Sequence, residues 1–176
     1  MIDRLRWWCT SVRNFGDAIG PYLFKSITGK DPKYVGICHN EDSLHYCTIG
    51  SMIRECNENS IIWGSGYHVP TSRFRGKPHA VHAVRGPLTR DQLLRQDCEC
   101  PEVYGDPALL LPRFYRPSVK KQEGIGVIPH YIDKRDRKLD MFRDHPNVKI
   151  IDIQQKVKSC LLYTSDAADD SKRGWW

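Results

Sequence analysis

Ser60-Ile61-Ile62-Trp63-Gly64-Ser65-Gly66 is the stretch on which the fold turns. Its apolar run is too short for a helix and shows no polar alternation, and glycine closes it. That is the pattern of a strand covered on both faces, as in a parallel sheet, feeding a glycine loop. Downstream, His79 to Val84 repeats the arrangement and ends on Arg85-Gly86. Pro87 then stands at a first-helical-turn position, with Leu88, Leu93 and Leu94 expected to face inward. Val103-Tyr104 gives a further short strand before the Gly105-Asp106-Pro107 turn.

Upstream, residues 5–12 read as a first strand carrying Trp7 and Trp8. Asp17 is expected to cap the next helix, with Pro21 still in its first turn, Ile19, Tyr22, Leu23 and Ile27 on one face, and Gly29 as its stop. Tyr34 to Cys38 is a strand candidate. Residues 40–59 admit a strand over Tyr46 to Ile49 and a helical turn over Ser51 to Cys56. Four blocks thus end apolar runs in order: Asn14-Phe15-Gly16-Asp17, Trp63-Gly64-Ser65-Gly66, Val84-Arg85-Gly86-Pro87 and Tyr104-Gly105-Asp106-Pro107. An open α/β sheet collects its ligands on such a rim, outside the carboxyl ends of its strands.

The expected organisation is an α/β domain over 1–112, a linker over 113–123 and a second β-α-β unit over 124–159. That unit opens with Gly124-Ile125-Gly126-Val127-Ile128-Pro129-His130. A polar helix over Lys134 to Arg143 and a strand over Val148 to Ile153 follow. From Cys160 the character changes: Leu161 to Asp170 resembles a conceptual translation of sequencing-library adapter DNA. Residues 160–176 are therefore set aside as non-native, and the second unit reads as truncated.

A formal net charge of +6 over 176 residues favours anionic partners. No basic run long enough for a nucleic-acid tail occurs, so nucleic acid is not expected. Seven cysteines without framework spacing read as reduced thiols of a cytoplasmic protein. Neither Cys98-Glu99-Cys100 nor Cys38-His39 with His45 and Cys47 has the paired knuckles of a zinc site, and no metal is expected.

The order NFGDAIGPYLF, IIWGSG, HAVRGPLTRDQL, YGDPALLLP, GIGVIPHYID and VKIIDIQQ resembles the polysaccharide pyruvyl transferase family over essentially all of residues 5–157. The resemblance implies two facing Rossmann-like domains of the GT-B kind. It also implies transfer of the pyruvyl group of phosphoenolpyruvate onto a pair of sugar hydroxyls as a ketal, with no further cofactor. The family's arginine of the Val84-Arg85-Gly86-Pro87 motif binds phosphoenolpyruvate, so Arg85 is expected to do so. Such a donor carries a carboxylate and a phosphate close together, which a guanidinium fork suits. A surface arginine pairing with Asp91 or Glu102 is the alternative.

Asn14 and Asp17 are placed on the acceptor-sugar side, Gly64 and Ser65 where backbone approaches a ligand, and Asp106 at the acceptor rim. Gly64-Ser65-Gly66 lacks the spacing of a nucleophile elbow. His130 is expected to face the cleft, and His82 to be a core histidine. The family's serine-rich histidine motif and its further arginine lie beyond the strand at Val148 to Ile153. The catalytic acid is therefore unassigned, and the chain as written is expected to be inactive. Partners implied are phosphoenolpyruvate and a sugar or lipid-linked glycan. The location is cytoplasmic; Trp7 and Trp8 are expected to pack the core of the first strand, with contact at the inner membrane surface through them and Arg4 and Arg6 as the alternative. Two alternatives stay open: the acceptor domain of a GT-B glycosyltransferase, and a non-catalytic glycan- or anion-binding domain.

Overall fold

The structure, a computed structural model, describes residues 2–9, 14–37, 42–116 and 123–154. Residues 2–9 and 16–114 form one compact unit, and residues 14–15, 115–116 and 123–154 belong to another. The tail from 155 onward, including the adapter-like segment, lies outside the described residues.

The first unit is an α/β sheet of five parallel strands: β1 (Arg4–Arg6), β2 (Lys33–Val35), β3 (His45–Cys47), β4 (Ser60–Trp63) and β5 (Ala80–Ala83). Their order across the sheet is β2-β1-β3-β4-β5. The chain leaves β1 for one neighbour and comes back to its other side, the doubly wound arrangement of Rossmann-like folds. Leu5, Val35, Cys47 and Ile62 are fully buried along the strands, which accounts for their unbroken apolar character. Val84 and Tyr104 form a single parallel bridge beyond β5. The backbone N–H of Val84 donates to the Val103 carbonyl, and that of Gly105 to the Val84 carbonyl.

Helix α1 (Phe15–Thr28) joins β1 to β2 and buries Ile19, Gly20, Leu23 and Phe24. Gly29, at φ +73°, donates its N–H to the Lys25 carbonyl and ends it as expected. Two expectations are corrected at the other end. The helix starts at Phe15, so Asp17 lies inside its first turn rather than capping it. Pro21 is then a helix-interior residue, and it leaves the carbonyl four residues back without its usual donor.

Helix α2 (Pro87–Leu94) follows β5 with Pro87 in the first turn. It buries Thr89, Gln92 and Leu93, whereas Leu88 is 82 % exposed and Leu94 is also exposed, contrary to the expected inward leucine face. Leu93 packs with Met52, Ile53, Cys56, Tyr67 and Cys98 against Cys47, Ile62 and Val84 in the principal core. A 3-10 turn, Ile53–Glu55, links β3 to β4, and a second, Pro107–Leu110, leads into α3 (Leu111–Phe114), which takes up Pro112.

The second unit pairs β6 (Ile125–Val127) with β7 (Val148–Ile150) in parallel. Their crossover is broken into 3-10 turns at Asp133–Arg135 and Arg137–Leu139 and the short α4 (Asp140–Arg143), where one polar helix was expected. Asp136, whose side chain accepts from the Lys138 N–H, starts the second of these turns and interrupts the first. Among the described residues, no helix is long and apolar enough to cross a membrane.

Candidate functional site

The strand order creates a topological switch between β1 and β3, and ligands of open α/β sheets bind outside the carboxyl ends of the strands at such a point. On this rim the loop after β3, Gly50-Ser51-Met52, meets the loop after β4, Gly64-Ser65-Gly66. The N–H of Gly66 donates to the Gly50 carbonyl at 3.0 Å, and that of Ile53 to the Gly66 carbonyl at 3.3 Å. Ser65 completes the brace, its hydroxyl donating to the Gly50 carbonyl at 2.9 Å and accepting from the Met52 N–H at 3.1 Å. The Ser65 side chain is fully buried. It therefore stitches loop against loop.

Gly64 is likewise a packing residue. At φ +90° it lies against the Gly105-Asp106-Pro107 turn, where an added β-carbon would stand 2.2 Å from Pro107 Cδ and 2.8 Å from the Gly105 carbonyl oxygen. Asp106 accepts from the Ala108 N–H at 2.9 Å and caps the Pro107–Leu110 turn.

Arg85 stands on top of this scaffold. Its N–H donates to the Ser65 carbonyl at 3.1 Å, which continues the strand past β5 and aims the side chain across Gly66. Nη2 donates to the Tyr67 carbonyl at 2.8 Å and to the Ser51 hydroxyl at 3.2 Å. Nε and Nη1 have no partner among the described residues, and Arg85 is exposed. Glu102, its expected alternative partner, instead pairs with Arg90 at 3.3 Å. So Nη2 anchors the guanidinium, and Nε and Nη1, on different edges of its plane, remain as separate donors to an anion.

Asp17 faces the same Gly50 turn from α1. An added β-carbon on Gly50 would stand 3.9 Å from Asp17 Oδ1. Burial holds its carboxyl above the usual range, against the pull of the helix N-terminus. The rim thus presents a cation and a half-buried carboxyl on two sides of one turn, Gly50-Ser51. Sequence reasoning left that turn unassigned, although it follows an apolar run as Gly64-Ser65-Gly66 does. Tyr67, which supplies the carbonyl under Arg85, takes a bond from Gln96 at 3.0 Å on its hydroxyl, and burial pushes its pKa up to about 12.

Asn14 and His130 fall in the second unit. His130 is exposed, lies 4.3 Å from the Tyr131 ring and accepts through Nδ1 from the Ile132 N–H at 3.4 Å. His82, expected in the core, is exposed on β5. It lines a cavity of about 420 Å³ with Leu23, Phe24, Tyr46, Trp63 and Pro107. No charged residue lines that cavity, so an anion has no counter-charge there. Arg6, counted among surface cations, is 2 % exposed and donates to the Glu55 carbonyl. His45 is fully buried with both ring nitrogens engaged, Nδ1 with the Ser43 carbonyl at 3.0 Å and Nε2 with the Ser60 hydroxyl at 2.9 Å.

No family model matches the chain, and no solved structure matches it. Among curated proteins it is similar to an uncharacterized protein of Acanthamoeba polyphaga mimivirus. The two are 32% identical over 147 residues, covering 80% of this chain and 50% of that protein. The chain spans about half the length of this relative.

Proposed function

We propose that this chain carries the donor-anion rim of a polysaccharide pyruvyl transferase. Such an enzyme moves the pyruvyl group of phosphoenolpyruvate onto two hydroxyls of a sugar or lipid-linked glycan, in the cytoplasm. The supporting observation is Arg85: an exposed guanidinium fixed through Nη2 alone, over a bare glycine, at the carboxyl end of a parallel sheet. A fixed cation whose Nε and Nη1 remain as donors suits the carboxylate or phosphate of that donor. The finer architecture, two facing domains of the GT-B kind, belongs to this proposal; a second parallel β-α-β unit over 125–150 is in keeping with it.

In the reaction, the enol methylene gains a proton, two hydroxyl oxygens bond to the neighbouring carbon, and phosphate departs. The two hydroxyl protons balance the one gained at the methylene and the one leaving with phosphate. Arg85 would hold the donor's negative charge throughout. Asp17, across the Gly50-Ser51 turn, would receive hydroxyls of the acceptor.

Thermal unfolding and calorimetric titration of the 176-residue chain with phosphoenolpyruvate test this. Phosphoenolpyruvate is expected to raise the midpoint more than inorganic phosphate or pyruvate does, with UDP-glucose silent and Arg85→Ala losing the effect. Stabilisation by UDP-glucose instead, or an undiminished phosphoenolpyruvate response in Arg85→Ala, would overturn the proposal.

A further inference from the structure

The cavity of about 420 Å³ lies beside α1, on the face of the sheet away from the principal core. Tyr46 and Trp63 line it, whereas their strand neighbours Cys47 and Ile62 point into that core. Its lining runs with the strands. Ile2 and Ile27 stand at the amino end of the sheet, and Thr48, Trp63 and Pro107 at the carboxyl end. Along α1 the lining extends from Gly20 to Thr28, about 12 Å at the helical rise.

Thr48 is 7 % exposed, and its hydroxyl has no hydrogen-bond partner among the described residues. An added β-carbon on Gly20, which also lines the cavity, would stand 3.9 Å from Thr48 Oγ1. The unspent hydroxyl thus borders the cavity at its carboxyl end. Thr28, at the other end, spends its hydroxyl on the Phe24 carbonyl at 2.7 Å. Between them Leu23, Phe24 and Tyr46 supply walls, and no Lys, Arg, Asp or Glu lines the space.

We infer that this cavity binds the hydrocarbon chain of a neutral, single-chain amphiphile, with an uncharged oxygen at its head hydrogen-bonded to the Thr48 hydroxyl. This goes beyond the pyruvyl transfer proposal and holds whether or not phosphoenolpyruvate binds.

Size, shape and polarity each bear on that ligand. An apolar cavity of roughly 150 Å³ already takes a benzene, and natural ligand pockets begin near about 300 Å³. An extended chain advances about 1.2 Å per bond, so about ten carbons span a length of about 12 Å. A buried hydroxyl without a partner favours an oxygen that restores its missing bond. A carboxylate or ammonium at the same spot would be stripped of water with no counter-charge beside it.

Calorimetric titration of the 176-residue chain with 1-hexanol to 1-dodecanol, each below its solubility limit, tests this. One-to-one binding is expected, tightening roughly three- to fourfold per methylene up to about ten carbons and levelling beyond. Decanoate and decylammonium should bind at least about tenfold more weakly than 1-decanol. Thr48→Val should weaken 1-decanol about fivefold, the worth of one hydrogen bond. Ile27→Trp, at a site 44 % exposed, should fill the amino end and move the levelling point to shorter chains. Should Thr48→Val fail to fold, the head-group order and the Ile27→Trp shift decide. Affinity that keeps rising to dodecanol alike in the parent and in Ile27→Trp would mean adsorption on the surface and overturn the inference. So would decanoate binding as tightly as 1-decanol, or no binding of any alcohol.

Discussion

A β-carbon on Gly66 would stand 2.7 Å from both Nε and Nη2 of Arg85 and 2.8 Å from its Cζ, so the guanidinium rests on bare backbone. Gly66→Ala must push the arginine aside. The obstructed atoms are the far end of a flexible side chain, so unfolding free energy should change by less than about 1 kcal/mol. Affinity for phosphoenolpyruvate should fall roughly tenfold or more, since the donors left on the guanidinium depend on that orientation. Chemical denaturation and calorimetric titration of the same variant separate the two effects.

Arg85→Lys keeps the charge but replaces a planar fork by a point charge on a longer-ranging stem. Binding of phosphoenolpyruvate should drop by about tenfold, nearly as far as in Arg85→Ala. Equal affinity in the lysine variant would mean that charge alone, not the placed guanidinium donors, does the binding.

Gly64→Ala meets a different obstacle. The residue sits at φ +90°, and its new methyl would strike the Pro107 ring and the Gly105 carbonyl, neither of which can swing away. A loss of about 3 kcal/mol or more in unfolding free energy is expected. Denaturant midpoints would show it, and a loss below about 1 kcal/mol would mean the 105–107 turn yields easily.

Ser65→Ala removes a buried hydroxyl that both donates and accepts, leaving the Met52 N–H without that partner. The expected cost is about 1–3 kcal/mol, the penalty of an orphaned buried donor. A variant as stable as the parent but deficient in ligand binding would mean that the hydroxyl acts on the ligand rather than on the loop.

Asp17 gives a pH signature. Its folded-state carboxyl is raised above the unfolded value, so the folded chain binds more protons between the two. Its contribution to stability therefore declines as pH rises through that window and is restored on acidification. Asp17→Asn should raise the melting midpoint at pH 7 relative to the parent, with the gap closing by pH 3. A gap independent of pH would point to packing rather than charge.

Much of the strand framework was legible because buried parallel strands advertise themselves: Ser60–Trp63 and Ala80–Ala83 fall where short apolar runs meet glycine. The Gly29 stop was visible for the same local reason. Less local features were not. Leu88 follows helical spacing, yet nothing packs over it, and the polar Thr89 and Gln92 take the buried positions; Gln92 Nε2 donates to the Val69 and Ser72 carbonyls. Sequence also cannot tell that the Ser65 loop is stitched to Gly50 and Met52, thirteen to fifteen positions away. The Gly50-Ser51 turn passed unnoticed because its importance comes from strand order. Only once β1 and β3 are neighbours does the rim between them become a place for ligands.

That neighbourhood has a practical side. β1 pairs with β2 on one flank and β3 on the other, through three residues near the amino terminus. Deleting Arg4 to Arg6 would excise an interior strand of the sheet, stranding β2 with no hydrogen-bonding neighbour. Affinity tags and shortened expression variants are therefore safer when that end is left alone.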